Sequence, residues 1–419
     1  MARTRGKRRR LKEYADPNIG FAWLRLFGAI TVVIDHSSPL IHPERLTIFP
    51  ASWHASPGYV ALMGFFAMSG WQISDSWERD PSWWRFSGRR LLRILPPLIA
   101  VVFITTLVIG PLFTNLSAGD YFSDQQTWRY LVGTSLLFLL QHVLPGVFAD
   151  NPYPWSVNGS LWTLPMELMG YVLVLVIGLL VVFGVTRYVV LPVLATLLVL
   201  DGMFEATFGF QGNVGSLIEI PIGSTISFMV PFAIGMVLHT FRDRIPRNGP
   251  VAIVLFAGWI AAHWTPLDRY LLAISASYGA IVIAHHWPTW FQADGRLYFG
   301  SYGLYIWAFP LQQIIIAAGV NNQWVLMAFA VPAAYLFGVL SWCLVEAPTQ
   351  RRLRKYLVAP KREKPEPDPP PPPPPRPPRP TPRPPRPPRP QNLAEADTVR
   401  FRPVARPHAP RRPPPRRVR

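Results

Sequence analysis

The sequence predicts an all-α polytopic membrane protein of about ten transmembrane helices. A re-entrant or surface-lying segment is expected at 130–148, and a disordered tail at the C-terminus. Three observations carry this. Half of the 419 residues are hydrophobic and 15% are charged, whereas soluble globular chains carry about 25% charged residues. The apolar runs are continuous and of helix length rather than alternating, which speaks against an outer-membrane barrel. The basic residues gather at the ends: of 41 Lys and Arg, 7 lie in Arg3–Lys12 and 20 in Arg351–Arg419, which leaves 14 between them. Basic ends around an apolar middle are not the footprint of a nucleic-acid-binding domain, so no nucleic-acid partner is expected. The single cysteine, Cys343, excludes an intrachain disulfide and a cysteine-based metal site.

Taken in order, residues 1–17 form a basic cytoplasmic lead-in. The apolar stretch after it lacks a small-x-small cleavage site and ends in Asp35-His36, so it reads as a first helix, 20–38, and not as a cleaved signal. Further spans are expected at 57–77, 94–114, 161–184, 187–203, 223–241, 250–265, 269–287, 298–319 and 324–346. Each is near the roughly 17–25 residues that a bilayer core requires, though a few are short. The stretch 130–148 is apolar but ends in His142 and Pro145-Gly146. Such irregular backbone is tolerated at membrane depth only where protein buries it or it lines a cavity.

Loop charge tests the count. With residue 1 inside and 130–148 not crossing, ten arginines fall in cytoplasmic loops and three outside, Arg45, Arg129 and Arg269. This follows the positive-inside rule. A crossing by 130–148 would move Arg187, Arg242, Arg244, Arg247 and Arg296 outside. Both termini are therefore expected in the cytoplasm, around a membrane domain at 18–356. The remaining segment, 357–419, holds 25 of the 48 prolines from Pro360 onward, seven of them consecutive at Pro369–Pro375. It cannot bury apolar area to offset its ordering entropy and should be a polyproline-II-like chain. Its charge suits an anionic lipid or an acidic partner.

An ionisable residue at membrane depth is costly and functional by default. The first helix has Arg25, Asp35 and His36. Arg25 and His36, eleven residues apart, share nearly one face and lie roughly 16 Å apart along the axis. This suits a path with a fixed cation at one end and a tunable base at the other. It equally suits a snorkelling Arg25 and an interfacial His36, and spacing leaves both open. Asp35 sits about 100° around the helix and cannot easily orient that imidazole. Arg85, Arg89 and Arg93 recur at i, i+4 and i+8 in the connection before the third span, with Arg90 beside them. Clustered guanidinium groups suit phosphate, but lipid headgroups and topology explain them as well. Glu167 is the only acid at the start of an otherwise apolar helix. It could neutralise a cation, orient a base or bind a hydroxyl, or serve the helix dipole. His285-His286 reads as interfacial. Asp201, Glu205 and Glu219 read as external acids that could meet an acceptor. No Walker A loop, dinucleotide fingerprint or zinc-type His-Glu-x-x-His is present.

Four blocks, in order, give a resemblance. They are Leu24-Arg25 through Asp35-His36; Gly64-Phe65-Phe66-Ala67-Met68-Ser69-Gly70 leading into Arg89-Arg90-Leu91-Leu92-Arg93-Ile94-Leu95-Pro96; Leu161-Trp162-Thr163-Leu164-Pro165-Met166-Glu167; and Ser301-Tyr302-Gly303-Leu304-Tyr305-Ile306-Trp307, with Val345-Glu346-Ala347-Pro348 at the last span. The chain resembles the acyltransferase-3 family of integral membrane O-acyltransferases over about 18–356. The resemblance implies an inner-membrane, bacterial enzyme. It would move an acyl group, by default acetyl, from cytoplasmic acyl-CoA, a co-substrate rather than a bound cofactor, to a hydroxyl of an extracytoplasmic carbohydrate or glycolipid. It implies His36 as general base on the acceptor hydroxyl, or as the carrier of the acyl group in an acyl-imidazole, with Glu167 and Arg25 also catalytic. Arg89, Arg90, Arg93, Asp35, Ser69, Trp162 and Tyr305 are then substrate-binding candidates, and no metal is implied. Ala308 stands where many members have His, whose role would be absent or fall to Gln312 or Gln313. Thr163 replaces the usual Ser and keeps a hydroxyl. The alternative from another class is a transporter or flippase for a lipid-linked sugar or small anion. The absence of a detectable inverted repeat speaks against it.

Overall fold

A computed structural model describes residues 18–45, 47–48, 55–137, 139–154, 156–208, 216–217, 220–288 and 300–357. The basic lead-in 1–17, the tail after Leu357, Glu219 and Arg296 lie outside the described residues. Each of the ten expected apolar stretches is helical. The helices are α1 (Asn18–Ile41), α2 (Pro57–Arg79), α3 (Trp83–Ile104, prolonged to Phe113), α4 (Thr163–Val182), α5 (Val190–Phe208), α6 (Ile222–Thr240), α7 (Gly249–Ala261), α8 (Asp268–His285), α9 (Ser301–Ala317) and α10 (Gln323–Ser341, prolonged to Leu357). Six of them, α1, α3, α4, α5, α6 and α10, are long and apolar enough to cross a membrane. Of the other four, α7 has 13 residues and α9 has 17. The described residues are helical apart from turns, loops and one two-residue antiparallel pairing, Ser216–Leu217 with Ile220–Pro221.

Helix α3 corrects one expected boundary. It begins at Trp83 rather than near residue 94, so Arg85, Arg89, Arg90 and Arg93 lie on the helix and not in a connection. An apolar window discards turns that carry charge, yet long guanidinium side chains extend from a helix without breaking it. The charge is also met locally. Arg85 Nε and Nη2 donate to the Asp80 carboxylate, and Arg89 Nη1 donates to Asp80 Oδ2 at 2.6 Å. Arg89 Nη1 also donates to Leu357 O at 2.9 Å, which ties the end of α10 to α3.

The hydrogen bonds from Arg85, then Arg89, hold the Asp80 carboxyl down to about 2. A carboxyl depressed in the folded state adds stability that is present above its ordinary value near 3.9 and is lost as pH falls toward 2. Asp80→Asn should therefore loosen the end of α10 at neutral pH, read as faster proteolysis near Leu357. It should also flatten the acid limb of a stability curve between about pH 4 and 2. An unchanged digestion pattern and acid limb would remove Asp80 from this role.

Helix α2 is the centre of the bundle, packed on α1, α4, α6 and α8. Glycine permits its closest approach. A Cβ on Gly70 would sit 2.0 Å from Phe232 O, and one on Gly235 would sit 2.0 Å from Ala67 O. These reciprocal contacts let α2 and α6 meet backbone to backbone, as small residues do between membrane helices.

The stretch 130–148 does not form a spanning helix. One wide turn, Tyr130–Thr134, gives way to irregular chain with Leu137 at φ 55°. Its backbone groups are satisfied from elsewhere, as burial of irregular chain requires. Gln141 N donates to Thr134 Oγ1 at 3.1 Å, Thr114 Oγ1 to Pro145 O at 2.8 Å, and Val157 N to His142 O at 2.7 Å. Further on, Gln313 Nε2 on α9 donates to the carbonyls of Tyr153 and Ser156, both at 2.8 Å. The segment is thus fastened between the ends of α3 and α9, with Leu140, Leu144, Val147 and Phe148 buried.

Candidate functional site

Two cavities lie in file along α1 and α4. The first, with a volume of about 80 Å³, is lined by Arg25 and Ala29 of α1, Ser69 of α2, Arg93 of α3, Glu167 of α4 and Tyr305 of α9. The second, about 370 Å³, is lined by His36, Pro39 and Leu40 of α1 and by Trp162 just before α4. Antiparallel α1 and α4 pass both in opposite order. Along α1 the sequence runs Arg25 to His36, and along α4 it runs Trp162 to Glu167.

In the first cavity, Arg25 Nη2 donates to Ser69 Oγ at 3.1 Å and to Gln72 Oε1 at 3.0 Å. Its Nε is buried with no hydrogen-bond partner among the described residues. Arg93 makes no hydrogen bond among the described residues and contributes a second cation to the same wall. Glu167 accepts from Tyr171 OH, one turn further along α4. Tyr305 OH donates to Ser160 O at 2.9 Å and pairs with Thr163 Oγ1 at 2.7 Å. This hydroxyl pair fastens the tight turn Gly159–Trp162 to α9. The Thr163 that departs from the family's Ser thus spends its hydroxyl on Tyr305. Apolar Leu62, Phe65, Phe66, Ile94 and Leu164 complete the walls. Two guanidinium groups against one carboxylate, set among apolar surfaces, suit an anion that carries an apolar arm.

In the second cavity, the His36 ring meets Phe309 edge-on, with centroids 5.9 Å apart. His142, Tyr153 and Ser156 line the same cavity. Trp162 stacks its edge against Phe228 at 5.7 Å.

The structure therefore divides the expected site residues. Arg25, Ser69, Arg93, Glu167 and Tyr305 come together in the first cavity, and His36 and Trp162 in the second. Asp35, Arg89 and Arg90 line neither. Asp35 Oδ1 accepts from Thr47 Oγ1 at 2.7 Å, and its Oδ2 accepts from Gly58 N at 3.2 Å, at the start of α2. Arg89 is held by Asp80 and Leu357. Arg90 Nη2 donates to Ser76 Oγ at 2.7 Å, and its guanidinium lies over the rings of Phe86 and Tyr171. Near Ala308, Gln312 Nε2 donates to Val33 O at 2.9 Å and Ser37 Oγ at 2.8 Å, so it braces α1 beside His36. Gln313 is spent on the 151–156 segment. Asp201 and Glu205 pair with Arg269. The rings of His285 and His286 lie against the carbonyls of Ile281 and Val282. Among the described residues, no cluster of three or more His, Cys, Asp or Glu could hold a metal ion.

Sequence reasoning missed Gln72, Tyr302, His142, Tyr153 and Ser156. Gln72 was within reach: it follows Ser69 by three residues and so shares its helix face. Tyr302 was within reach as well, three residues before Tyr305 on one helix, whereas His142, Tyr153 and Ser156 had no local signal.

Residues 18–345 match the model of the acyltransferase-3 family, described as an acyltransferase domain. The chain is 26% identical over 268 residues to a protein named O-acetyl transferase from Shigella phage Sf6, a stretch covering 62% of this chain and 75% of the relative. No solved structure matches it.

Proposed function

Because the chain belongs to the acyltransferase-3 family of membrane O-acyltransferases, we propose that it moves an acyl group, acetyl by default, from acyl-CoA in the cytoplasm to a hydroxyl of an extracytoplasmic carbohydrate or glycolipid. The observation that carries this reading is that Arg25 and His36, on one helix, line two successive cavities. One is rich in cations and the other offers an imidazole. By the loop-charge argument the first cavity is nearer the cytoplasm and takes the donor, with Arg25 and Arg93 as partners for its anionic groups. The second is nearer the outside and takes the acceptor.

In the reaction, the acceptor oxygen forms its bond to the thioester carbon as His36 takes the hydroxyl proton. The carbon–sulfur bond then breaks, and the proton passes from the imidazolium to the departing sulfur. An imidazole can both accept and return a proton, which suits both steps. Glu167 shares its cavity with Arg25 and Arg93 rather than with His36, so its role is to set the charge around the donor. Ser69 fixes Arg25, and Tyr305 with Trp162 forms the partition between the two cavities. Both basic ends face the cytoplasm, and the tail is an accessory that meets anionic lipid or an acidic partner.

The test uses membrane vesicles and labelled acetyl-CoA, with label in envelope material and free CoA thiol as readouts. Label and thiol should appear together. A transporter would consume no thioester. Failure to consume acetyl-CoA or any longer acyl-CoA would overturn the enzyme reading.

A further inference from the structure

The second cavity carries more polar groups than one base requires. The irregular segment 139–156 brings His142, Tyr153 and Ser156 onto its wall, beside His36 and Trp162. This placement is built rather than incidental. The His142 carbonyl accepts from Val157 N, and Gln313 clamps the carbonyls of Tyr153 and Ser156. Ser156 is 6% exposed, yet its Oγ has no hydrogen-bond partner among the described residues. Native structures seldom leave a buried hydroxyl without a partner, and one on a cavity wall gains its partner when a ligand enters. Gly159 leaves room beside that hydroxyl. A Cβ there would come within 2.8 Å of the Phe309 ring and 3.2 Å of Ser156 Oγ.

We propose that His142 and Ser156 are acceptor-binding residues, which hydrogen-bond the oxygens next to the hydroxyl that His36 deprotonates. The wall therefore selects acceptors whose reactive hydroxyl has hydroxyl neighbours on a ring or chain, and it discriminates against a lone alcohol. A site built to bond a hydroxyl rejects an analogue without it, because its own polar groups are left unpaired. The inference rests on the reading of His36 as the base of an O-acyl transfer.

The experiment compares His142→Ala, His142→Gln and Ser156→Ala with wild type, as full chains in membrane vesicles with labelled acetyl-CoA. Three quantities are read: label in envelope material, CoA thiol released to water without transfer, and the acetyl-CoA concentration at half-maximal rate. Loss of one hydrogen bond should lower the ratio of transfer to hydrolysis by roughly tenfold in His142→Ala and Ser156→Ala. The half-saturating acetyl-CoA should not move. His142→Gln, which can still donate, should recover part of the ratio. Ser156→Ala removes an oxygen that bonds nothing within the described protein, so a folding defect cannot imitate this pattern. An unchanged ratio, or transfer and hydrolysis falling together in both alanine variants, overturns the proposal and leaves the role of His36 standing. Label absent from the wild type with acetyl-CoA and with longer acyl-CoAs alike overturns the enzyme reading itself.

Discussion

Replacing His36 with alanine is expected to lower acyl transfer by about 10²–10⁴-fold, the usual contribution of a positioned general base. The fold should survive the change. His36 lines a cavity, meets Phe309 edge-on, and has no hydrogen bond to any described residue. Its removal enlarges an existing space rather than opening a void in tight packing, and the large costs of core truncation come from voids that cannot close. Two controls separate chemistry from structure. The acetyl-CoA concentration at half-maximal rate should stay at its wild-type value, because Arg25 and Arg93 line the other cavity. Asp35→Asn, at the neighbouring position, should act through stability, since Asp35 holds Thr47 and the start of α2. A His36→Ala protein with near-normal transfer would remove His36 from the reaction.

The helices were legible because burial in lipid demands long apolar runs, and such runs stand out against any background. The Arg25–His36 pair was legible because a helix converts a spacing of eleven into a shared face. The arginine cluster was legible as a group but not in its parts. The pattern i, i+4, i+8 put Arg85, Arg89 and Arg93 on one face, which suited phosphate and lipid headgroups alike. In the structure Asp80, five residues before Arg85, takes the first two. Arg93 stands four residues, about 6 Å, further along the axis, and lines the first cavity instead. The sequence held both the row and the acid, but no local rule ranks the acid above a distant ligand. The segment 139–156 was illegible for another reason. It has no periodicity, and its path is set by Thr114, Thr134 and Gln313. The last of these lies more than 150 residues away in the chain. His142 is held at the cavity of His36 within this path and by Val157 N on its own carbonyl, so no spacing could have announced it.

The same division of the arginines makes the second large expectation specific. Arg93→Ala should raise the acetyl-CoA concentration at half-maximal rate by roughly 10–100-fold, the range for losing a hydrogen bond to a charged group. The maximal rate should fall far less, because His36 and the second cavity are untouched. The contrast lies with Arg89→Ala. Its guanidinium is committed to Asp80 and Leu357, so its loss should loosen the end of α10 with little change in donor half-saturation. Arg93→Lys should fall between wild type and Arg93→Ala, since an ammonium keeps the charge but not the two-pronged geometry. If Arg93→Ala lowered the maximal rate and left half-saturation unchanged, Arg93 would act on the transition state, and the first cavity would lose its assignment to the donor's anionic groups. If Arg89→Ala reproduced the Arg93→Ala effect, the ion pair with Asp80 would have to open when the donor binds. The row read from the sequence would then act as one unit in the loaded enzyme.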